Sequence, residues 1–398
     1  RLSVPVVARG AGTGLSGGAM PHKLGVTLSL AKFNKILKLD PLSRNAVVQG
    51  GVRNLAISEA AAPHGLYYAP DPSSQIACTI GGNVAENSGG VHCLKYGLTV
   101  HNVVKVKGFT IEGEEVEFGS DALDAAGYDL LSVVIGSEGM LAITTEVTVK
   151  LYPLPEAISA AVCSFPSIEA AVRTTIEVIQ MGIPIARVEL IDHNTIRMVN
   201  AHSKLTLRES PMLLMEFHGS PTGVKEQAEL VQEIASGHGS DAFEWASTPE
   251  ERTRLWTARH NAYFAAIQSR PGCKAISTDT CVPISRLADC LLDSIAEVDA
   301  TSIPYFLVGH VGDGNFHFGY LIDPNIPEER RIAEELNHKL VSRALALEGT
   351  CTGEHGVGLH KMDFLVTEAG NGAVNMMRTI KRALDPQNIM NPGKIFRL

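Results

Sequence analysis

The sequence lacks the features of several common protein classes. It has no long run of Lys or Arg and a net charge of −9, which argues against a nucleic-acid-binding surface because phosphate binding needs clustered positive charge. No apolar run approaches the roughly 18 residues that a membrane helix requires. The seven cysteines include no C-x-x-C pair, so neither a disulfide framework nor a haem or iron–sulfur site is indicated. Reduced thiols in a cytosolic or matrix setting fit this odd number of cysteines better.

The length and composition predict a packed protein with more than one domain. A chain of 398 residues with 45% hydrophobic and 19% charged residues is too long for one core and suits two or three domains. The sequence opens at Arg1 inside strand-like residues, which we interpret as the loss of the true N-terminus and of any targeting peptide. We expect a cytoplasmic location, with peripheral contact at the inner membrane or, in a eukaryote, the mitochondrial matrix as alternatives.

The pattern of strands and helices changes twice along the chain. Residues 1–152 are rich in glycine and in short β-branched runs, and the prolines at 153 and 155 mark a linker. Residues 156–350 contain two successive β-α-β patterns, which suggest a ferredoxin-like antiparallel sheet. Residues 351–398 are mostly helical and end in an Asn-Pro-Gly-Lys turn. The predicted fold class is α+β, with two domains and a C-terminal segment that returns to the first.

The first chemical feature is a glycine-rich segment at residues 10–18, where five of nine positions are glycine. Without Cβ atoms, the backbone N–H groups can approach a phosphate closely. Gly12, Gly14 and Gly17 match G-x-G-x-x-G, but a dinucleotide fingerprint must begin a helix, and here a strand follows instead. We interpret the segment as a pyrophosphate cradle of another kind, with a glycine-rich turn that binds nothing as the alternative.

Two further segments of similar composition follow within the first 140 residues. Residues 70–90 begin with Pro-Asp-Pro-Ser-Ser and continue through a Gly-Gly-Asn and a Ser-Gly-Gly motif, and residues 135–139 read Ile-Gly-Ser-Glu-Gly. Together with residues 10–18 they suggest loops that converge on one large ligand with phosphate and ribose hydroxyl groups.

A second chemical feature lies in the C-terminal half. His310 and His317 flank a Gly-Asp-Gly-Asn turn, so their imidazoles could face each other across the tip of a hairpin. Further along, Glu354 and His355 stand between two glycines. Two His and one Glu suit an open divalent metal site. The alternative is that these histidines only satisfy hydrogen bonds within the hairpin. Asp313 and Asn315 could orient the metal ligands, but turn formation explains both residues at least as well.

The order of the three glycine-rich blocks resembles the FAD-binding domain of the vanillyl-alcohol-oxidase (PCMH-type) flavoprotein family, and the resemblance covers nearly the whole chain. It implies a PCMH-type FAD-binding domain at residues 1–152 and a ferredoxin-like cap domain at residues 156–350. His92 and His101 lie near these loops, and we interpret each as a surface histidine. The residues that the resemblance assigns to FAD are Gly10, Gly12, Thr13, Gly14, Ser16, Gly17, Gly18, Pro70, Asp71, Thr79, Gly81, Gly82, Asn83, Asn87, Gly89, Gly90, Gly136, Glu138, Gly139, Ile143 and Asn391.

The histidine motifs resemble the metal-dependent branch of this family, which oxidises D-2-hydroxy acids. The resemblance implies that His310, His317 and Glu354 bind a divalent metal (Zn, Mn or Fe). It also implies that His355 is the general base and that Arg259 pairs with the substrate carboxylate. The chemistry is consistent, since a cation stabilises a developing alkoxide, a near-neutral imidazole accepts the proton, and a guanidinium binds a carboxylate in a bidentate manner.

The sequence also restricts the substrate. Members of the branch that act on 2-hydroxyglutarate carry Asn two residues after the second metal histidine, where this chain has Gly319, which argues against a second substrate carboxylate. The first 150 residues resemble glycolate oxidase flavin subunits more, and the remainder resembles cytochrome-type D-lactate dehydrogenases more. Because substrate contacts should come from the second half, we expect D-lactate first and glycolate as the alternative.

The expected partners are a small 2-hydroxy acid, an external electron acceptor such as a cytochrome, a quinone or an electron-transfer flavoprotein, and further subunits. Two other interpretations remain open from the sequence. One is a metallohydrolase, which leaves the glycine-rich segments unexplained, and the other is a flavin-binding module without turnover.

Overall fold

A computed structural model describes residues 3–122, 126–246 and 248–398, without the side chains at 254, 255 and 258. The strands are β1 (Val6–Arg9), β2 (Val26–Ser29), β3 (Ile36–Asp40), β4 (Asn45–Gln49), β5 (Leu66–Tyr67), β6 (Val103–Phe109), β7 (Glu115–Gly119), β8 (Ile143–Lys150), β9 (Tyr152–Pro153), β10 (Ala157–Ser164), β11 (Arg187–Ile191), β12 (Met212–Gly219), β13 (Glu244–Ala246), β14 (Lys274–Ser277), β15 (Thr280–Cys281), β16 (Tyr305–His310) and β17 (Asn315–Ile322). The helices are α1 (Asn54–Ala61), α2 (Ile80–Glu86), α3 (Cys93–Tyr96), α4 (Thr99–Asn102), α5 (Leu130–Val134), α6 (Ile168–Gln180), α7 (His193–Ser203), α8 (Pro221–Gly237), α9 (Pro249–Ser269), α10 (Leu287–Asp299), α11 (Pro327–Ala346) and α12 (Met362–Leu384).

The chain divides into two compact units. Unit 1 consists of Arg1–Leu154 together with Glu354–Leu398, and unit 2 is Pro155–Gly353. Unit 2 is therefore inserted into the sequence of unit 1.

In unit 1, an antiparallel sheet in the order β3-β4-β8-β6-β7 forms the main layer. Its apolar side chains pack against α1 and α2, with Val48, Val106, Val147 and Ile80 fully buried. Strands β1 and β2 pair in parallel at the two ends of the first glycine-rich segment. No helix forms between them, so the prediction that this segment is not a dinucleotide fingerprint is confirmed.

The second glycine-rich block is not a continuous loop. Residues 80–86 form α2, because the Thr79 hydroxyl accepts a hydrogen bond from Gly82 N and caps the helix N-terminus. The helix ends at Asn87, which adopts a left-handed conformation (φ 52°). The prediction of loops throughout is corrected here, because a short capped helix forms a third of this block.

In unit 2, strands β13-β10-β12-β11 pair antiparallel in that order. This is the order of a ferredoxin-like sheet, as predicted from the two β-α-β patterns. Strands β16, β17 and β14 extend the sheet. Helices α6, α8 and α10 pack on one another, and α7 and α9 form a second packed pair. Side chains alternate between the two faces along a strand. The face that α9 covers carries the even-numbered residues of β12 and β16 and the odd-numbered residues of β11 and β17.

The C-terminal segment of unit 1 contains α12, whose regular path is interrupted at Gly370 (φ 76°). The glycine allows a kink within the helix, and the segment is mostly helical as predicted. All seven cysteines are free thiols. Within the described ranges, every helix is too short or too polar to cross a bilayer.

Candidate functional site

The glycine-rich segment at residues 10–18 has the properties of an anion-binding loop. Among the described residues, none accepts a hydrogen bond from the backbone N–H groups of residues 11–18, and residues 11–15 are exposed. Gly12 and Gly17 have φ values of 74° and 85°, which L side chains rarely adopt. A Cβ atom at Gly10 would lie 2.1 Å from Thr79 Oγ1. The loop can therefore offer several N–H donors to a pyrophosphate, and these positions admit only glycine.

The third segment meets this loop at α2. Gly136 N and Glu138 N donate to the carbonyls of Val84 and Ala85, each at 2.8 Å. The Asn391 amide donates to the carbonyl oxygens of Gly18 and Glu138. Unit 1 thus brings together residues 10–18, α2, residues 136–139 and Asn391, each of which includes residues that the resemblance assigns to FAD.

The remaining predicted FAD residues lie on the other side of α2 and at its end. Asn83 donates to Asn54 Oδ1 at 2.8 Å, and Asn54 donates to the Pro70 carbonyl at 2.8 Å. A Cβ atom at Gly90 would lie 2.6 Å from the Asp71 carbonyl carbon. Ile143 is the first residue of β8. Thr13 and Gly14 are exposed residues of the first loop. These contacts hold the start, the middle and the end of residues 70–90 together.

Two carboxyl groups, those of the buried Glu138 and the partly buried Glu86, lie against the first loop, and the sequence did not predict this pair. A Cβ atom at Gly18 would lie 2.3 Å from Glu86 Oε1, and the Ser16 hydroxyl donates to Glu86 Oε2 at 3.2 Å. Burial, and then repulsion from Glu138, raises the pKa of Glu86 to about 8.

Glu138 behaves differently within the same pair. Its Oε1 accepts hydrogen bonds from Val357 N and Gly358 N, both at 2.8 Å. Burial raises the pKa of Glu138, while these two N–H groups and the charge of Lys394 oppose the rise. The raised pKa favours a protonated Glu86 carboxyl group near neutral pH.

His92 is not the surface histidine that we predicted. Its Nδ1 lies 2.7 Å from Asp71 Oδ2, and only 15% of the side chain is exposed. The ring also lies 6.3 Å from that of Tyr96. The partner comes from the Pro-Asp-Pro-Ser-Ser segment, and contacts between distant segments of this kind are not visible in the sequence. His101 is exposed, as predicted.

In unit 2, the two histidines lie on neighbouring strands at the base of the β16–β17 turn. Their ring centroids are 5.4 Å apart, and both side chains are buried. His310 Nδ1 lies 2.6 Å from Glu189 Oε1, and His317 Nδ1 lies 3.0 Å from the Thr278 carbonyl oxygen. Because carboxylates and carbonyls only accept hydrogen bonds, both Nδ1 atoms carry protons, and Nε2 is the nitrogen that would bind a metal.

Glu189 is the functional candidate that sequence reasoning missed. It is fully buried on β11, and its Oε2 accepts a hydrogen bond from Arg259 Nε at 2.8 Å. Burial would raise the pKa of Glu189, but the charges of His310 and Arg259 hold it below its ordinary value. The sequence feature that could have identified Glu189 is its position as an ionisable residue in the middle of the strand Arg-Val-Glu-Leu-Ile.

Arg259 keeps the outer edge of its guanidinium available. Among the described residues, its two Nη groups make no hydrogen bond or ion pair, and 14% of the side chain is exposed. An arginine fixed at Nε with both Nη groups open suits the bidentate binding of a carboxylate.

The segment that ends unit 2 is anchored beside His317. The Asn315 amide donates to Asp279 Oδ1 at 3.1 Å, and the Thr352 hydroxyl donates to Asp279 Oδ2 at 2.8 Å. A Cβ atom at Gly353 would lie 1.8 Å from Asn315 Nδ2. Asn315 therefore binds Asp279 in addition to its place in the turn.

Glu354 and His355 begin the second segment of unit 1. Glu354 Oε1 lies 3.9 Å from His355 Nε2, and about a fifth or less of each side chain is exposed. A Cβ atom at Gly89 would lie 2.8 Å from Glu354 Oε2, so these residues pack against the second glycine-rich block. The predicted metal ligands and base are thus distributed over the two units, and their roles stay predictions.

Comparison with protein families gives two matches. Residues 1–119 match the FAD binding domain, and residues 154–395 match the C-terminal domain of FAD linked oxidases. Glycolate oxidase subunit GlcD of Escherichia coli (strain K12) is 45% identical over 397 residues, which span 99% of this chain and 79% of that protein. The mitochondrial D-lactate dehydrogenase [cytochrome] of Arabidopsis thaliana is 39% identical over 394 residues, with 99% and 69% covered.

Solved structures show the same fold at low sequence identity. p-Cresol methylhydroxylase superposes with a TM-score of 0.79 at 16% identity, covering 98% of this chain and 84% of the other. Alkyldihydroxyacetonephosphate synthase superposes with a TM-score of 0.74 at 18% identity, covering 98% and 72%. The predicted α+β class with a PCMH-type FAD-binding fold is confirmed.

Proposed function

Since the chain belongs to the family of FAD-linked oxidases, we propose that it oxidises D-lactate to the 2-oxo acid and passes the electrons to an external acceptor. The observation that carries this proposal is the arrangement on one face of the unit 2 sheet. There Arg259, whose outer guanidinium edge is open, and His310, whose ring lies beside that of His317, are tied to the same buried carboxylate.

The residues of unit 1 fit FAD. The uncommitted N–H groups of residues 11–18 suit a pyrophosphate, and the crowding at Gly10 and Gly18 explains why side chains are missing there. When bound, FAD supplies the hydride acceptor, and that chemistry belongs to the cofactor.

In unit 2, His310 and His317 fit a divalent cation, because both present Nε2 while Nδ1 is held by an acceptor. We infer that Glu354, bonded directly to the last residue of unit 2, is the third ligand. A bound Zn, Mn or Fe ion would supply Lewis acidity towards the substrate hydroxyl. His355 accepts the hydroxyl proton, and Arg259 binds and orients the carboxylate.

The substrate is a monocarboxylate in this proposal. A Cβ atom at Gly319 would lie 1.9 Å from Phe306 Cε1, so the Phe306 ring fills the space that a side chain at this position would need. A polar residue that binds a second carboxylate therefore has no room here, which disfavours 2-hydroxyglutarate.

Glycolate is the second candidate substrate, and the 45% identity to the glycolate oxidase subunit of Escherichia coli favours it. D-Lactate and glycolate differ by one methyl group, worth only about 1 kcal/mol of pocket binding. We propose a cytochrome, a quinone or an electron-transfer flavoprotein as the acceptor. Association with partner subunits and a peripheral position at a membrane belong to the same proposal.

The test is anaerobic flavin reduction. The protein is loaded with FAD and Mn²⁺, and the flavin absorbance is followed after adding D-lactate, L-lactate or glycolate. We expect fast bleaching with D-lactate, slower bleaching with glycolate and none with L-lactate. His355→Ala should abolish bleaching while retaining FAD, and the matched variant His202→Ala, at an exposed position, should not. Flavin binding without bleaching by any of the three would refute the assignment, and a faster reaction with glycolate would reverse the order of the candidates.

A further inference from the structure

We propose that Glu189 is a positioning residue that holds the metal ligand His310 and the substrate clamp Arg259 in a fixed mutual arrangement. This inference rests on the proposed function, because it assigns a role to Glu189 through those two residues.

The geometry uses both oxygens of a single carboxylate. Glu189 Oε1 lies 2.6 Å from His310 Nδ1, and Oε2 lies 2.8 Å from Arg259 Nε. The side chain of Glu189 is 0% exposed, so water does not compete for either contact. The three residues come from β11, α9 and β16, and the carboxylate is the group that links them.

The contact with His310 selects one tautomer. The carboxylate accepts a hydrogen bond from the Nδ1–H group, so Nε2 is the ring nitrogen that carries the lone pair. The same hydrogen bond raises the basicity of the imidazole and fixes the ring orientation. Loss of such a partner typically weakens metal binding by about 10- to 100-fold.

The contact with Arg259 selects one edge of the guanidinium. With Nε bonded to Glu189, the two Nη groups form the remaining edge, and among the described residues they have no acceptor. This edge can donate two parallel hydrogen bonds to a substrate carboxylate. Fixing the arginine before binding reduces the ordering that the substrate must impose.

The same face of the sheet provides a matched control. Glu216 is also buried and also uses both oxygens, 2.7 Å from Arg187 Nη2 and 2.7 Å from His218 Nε2. Arg187 in turn stacks on Trp256. The Glu216→Gln replacement removes a buried carboxylate that binds Arg187 and His218 and leaves both contacts of Glu189 in place.

The experiment compares Glu189→Gln with Glu216→Gln in the full chain. An amide has one acceptor oxygen, and its NH₂ group must face the second donor, so Gln can satisfy only one of the two contacts. Circular dichroism first confirms that both variants are folded. Calorimetric titration with Mn²⁺ then gives the dissociation constant in the absence of substrate, and steady-state kinetics at saturating FAD and Mn²⁺ give KM and kcat for D-lactate.

For Glu189→Gln we expect the Mn²⁺ dissociation constant to rise by about 10- to 100-fold. We expect KM for D-lactate to rise by about 10-fold, since a charge-assisted hydrogen bond is lost. Glu216→Gln should change both values by less than about 3-fold. In the Arg259→Gln background, adding Glu189→Gln should raise KM no further, because the residue through which it acts has gone.

Equal effects of the two replacements on Mn²⁺ binding would overturn the inference, since they would report a general loss of packing. Independent, multiplicative effects of Glu189→Gln and Arg259→Gln on KM would also overturn it. If the unmodified chain binds no Mn²⁺, the proposed metal site fails, and the KM comparison in the Arg259→Gln background alone then decides the role of Glu189.

Discussion

Replacing Glu86 by Gln is expected to change how the stability of the protein depends on pH. Burial and the neighbouring Glu138 raise the pKa of Glu86 from its ordinary 4.5 to about 8. Between these two values the folded protein holds a proton that the unfolded chain has already released. Because the folded state binds more protons in this window, the free energy of unfolding falls as the pH rises from about 4.5 to 8.

The size of the effect follows from the shift. One pKa unit corresponds to 1.36 kcal/mol, so the full shift is worth at most about 5 kcal/mol. The nearby charge of Lys394 lowers the pKa of Glu86, which opposes part of the shift. We therefore expect the wild type to lose about 2–3 kcal/mol between pH 5.5 and 8.5 relative to Glu86→Gln, which cannot titrate.

The assay is urea unfolding at saturating FAD, at pH 5.5, 7.0 and 8.5, for the wild type, Glu86→Gln and the exposed control Glu112→Gln. The control should follow the wild type at every pH, because Glu112 is a surface residue. Parallel profiles for the wild type and Glu86→Gln would refute the reasoning, since they would mean that Glu86 releases its proton at an ordinary pH.

Three further predictions concern packing. Gly18→Ala should weaken FAD binding, measured by flavin fluorescence, by about tenfold or more, because its Cβ would lie 2.3 Å from a carboxylate oxygen and overpacking typically costs about 1–3 kcal/mol. The control Gly237→Ala has open space around it and should have no effect. Lys381→Met should reduce the free energy of unfolding by about 3–5 kcal/mol in urea titration, because the buried ammonium group bonds one carboxylate and two carbonyl oxygens. Gly319→Asn should lower the melting temperature through its clash with Phe306 and should not produce turnover of 2-hydroxyglutarate; turnover would show that the ring moves aside.

The sequence predicted the features that depend on local pattern. The strand after the first glycine-rich segment, the hairpin between His310 and His317, and the ferredoxin-like order of the second sheet all follow from periodicity and turn residues. These features depend only on residues that are adjacent in sequence or on the regular geometry of strands.

The features that were missed depend on contacts between distant residues. Glu189 meets His310 across 121 positions of the chain, and no pattern around either residue encodes that pairing. His92 was taken for a surface residue because its partner Asp71 belongs to another segment. The helix α2 was missed because glycine has low helix propensity, which the Thr79 cap and packing against the sheet overcome.

The insertion of unit 2 into unit 1 has a consequence for biosynthesis. Asn391 and Lys394 donate to the carbonyl oxygens of Gly18 and Met20, from which they are separated by 373 and 374 positions of the chain. At about 5–20 residues per second, the N-terminal part of unit 1 must wait roughly 20–75 s for them. Unit 2 is fully synthesised in the meantime and can fold first. Capture of the flavin is therefore completed only after the whole of unit 2 has been synthesised.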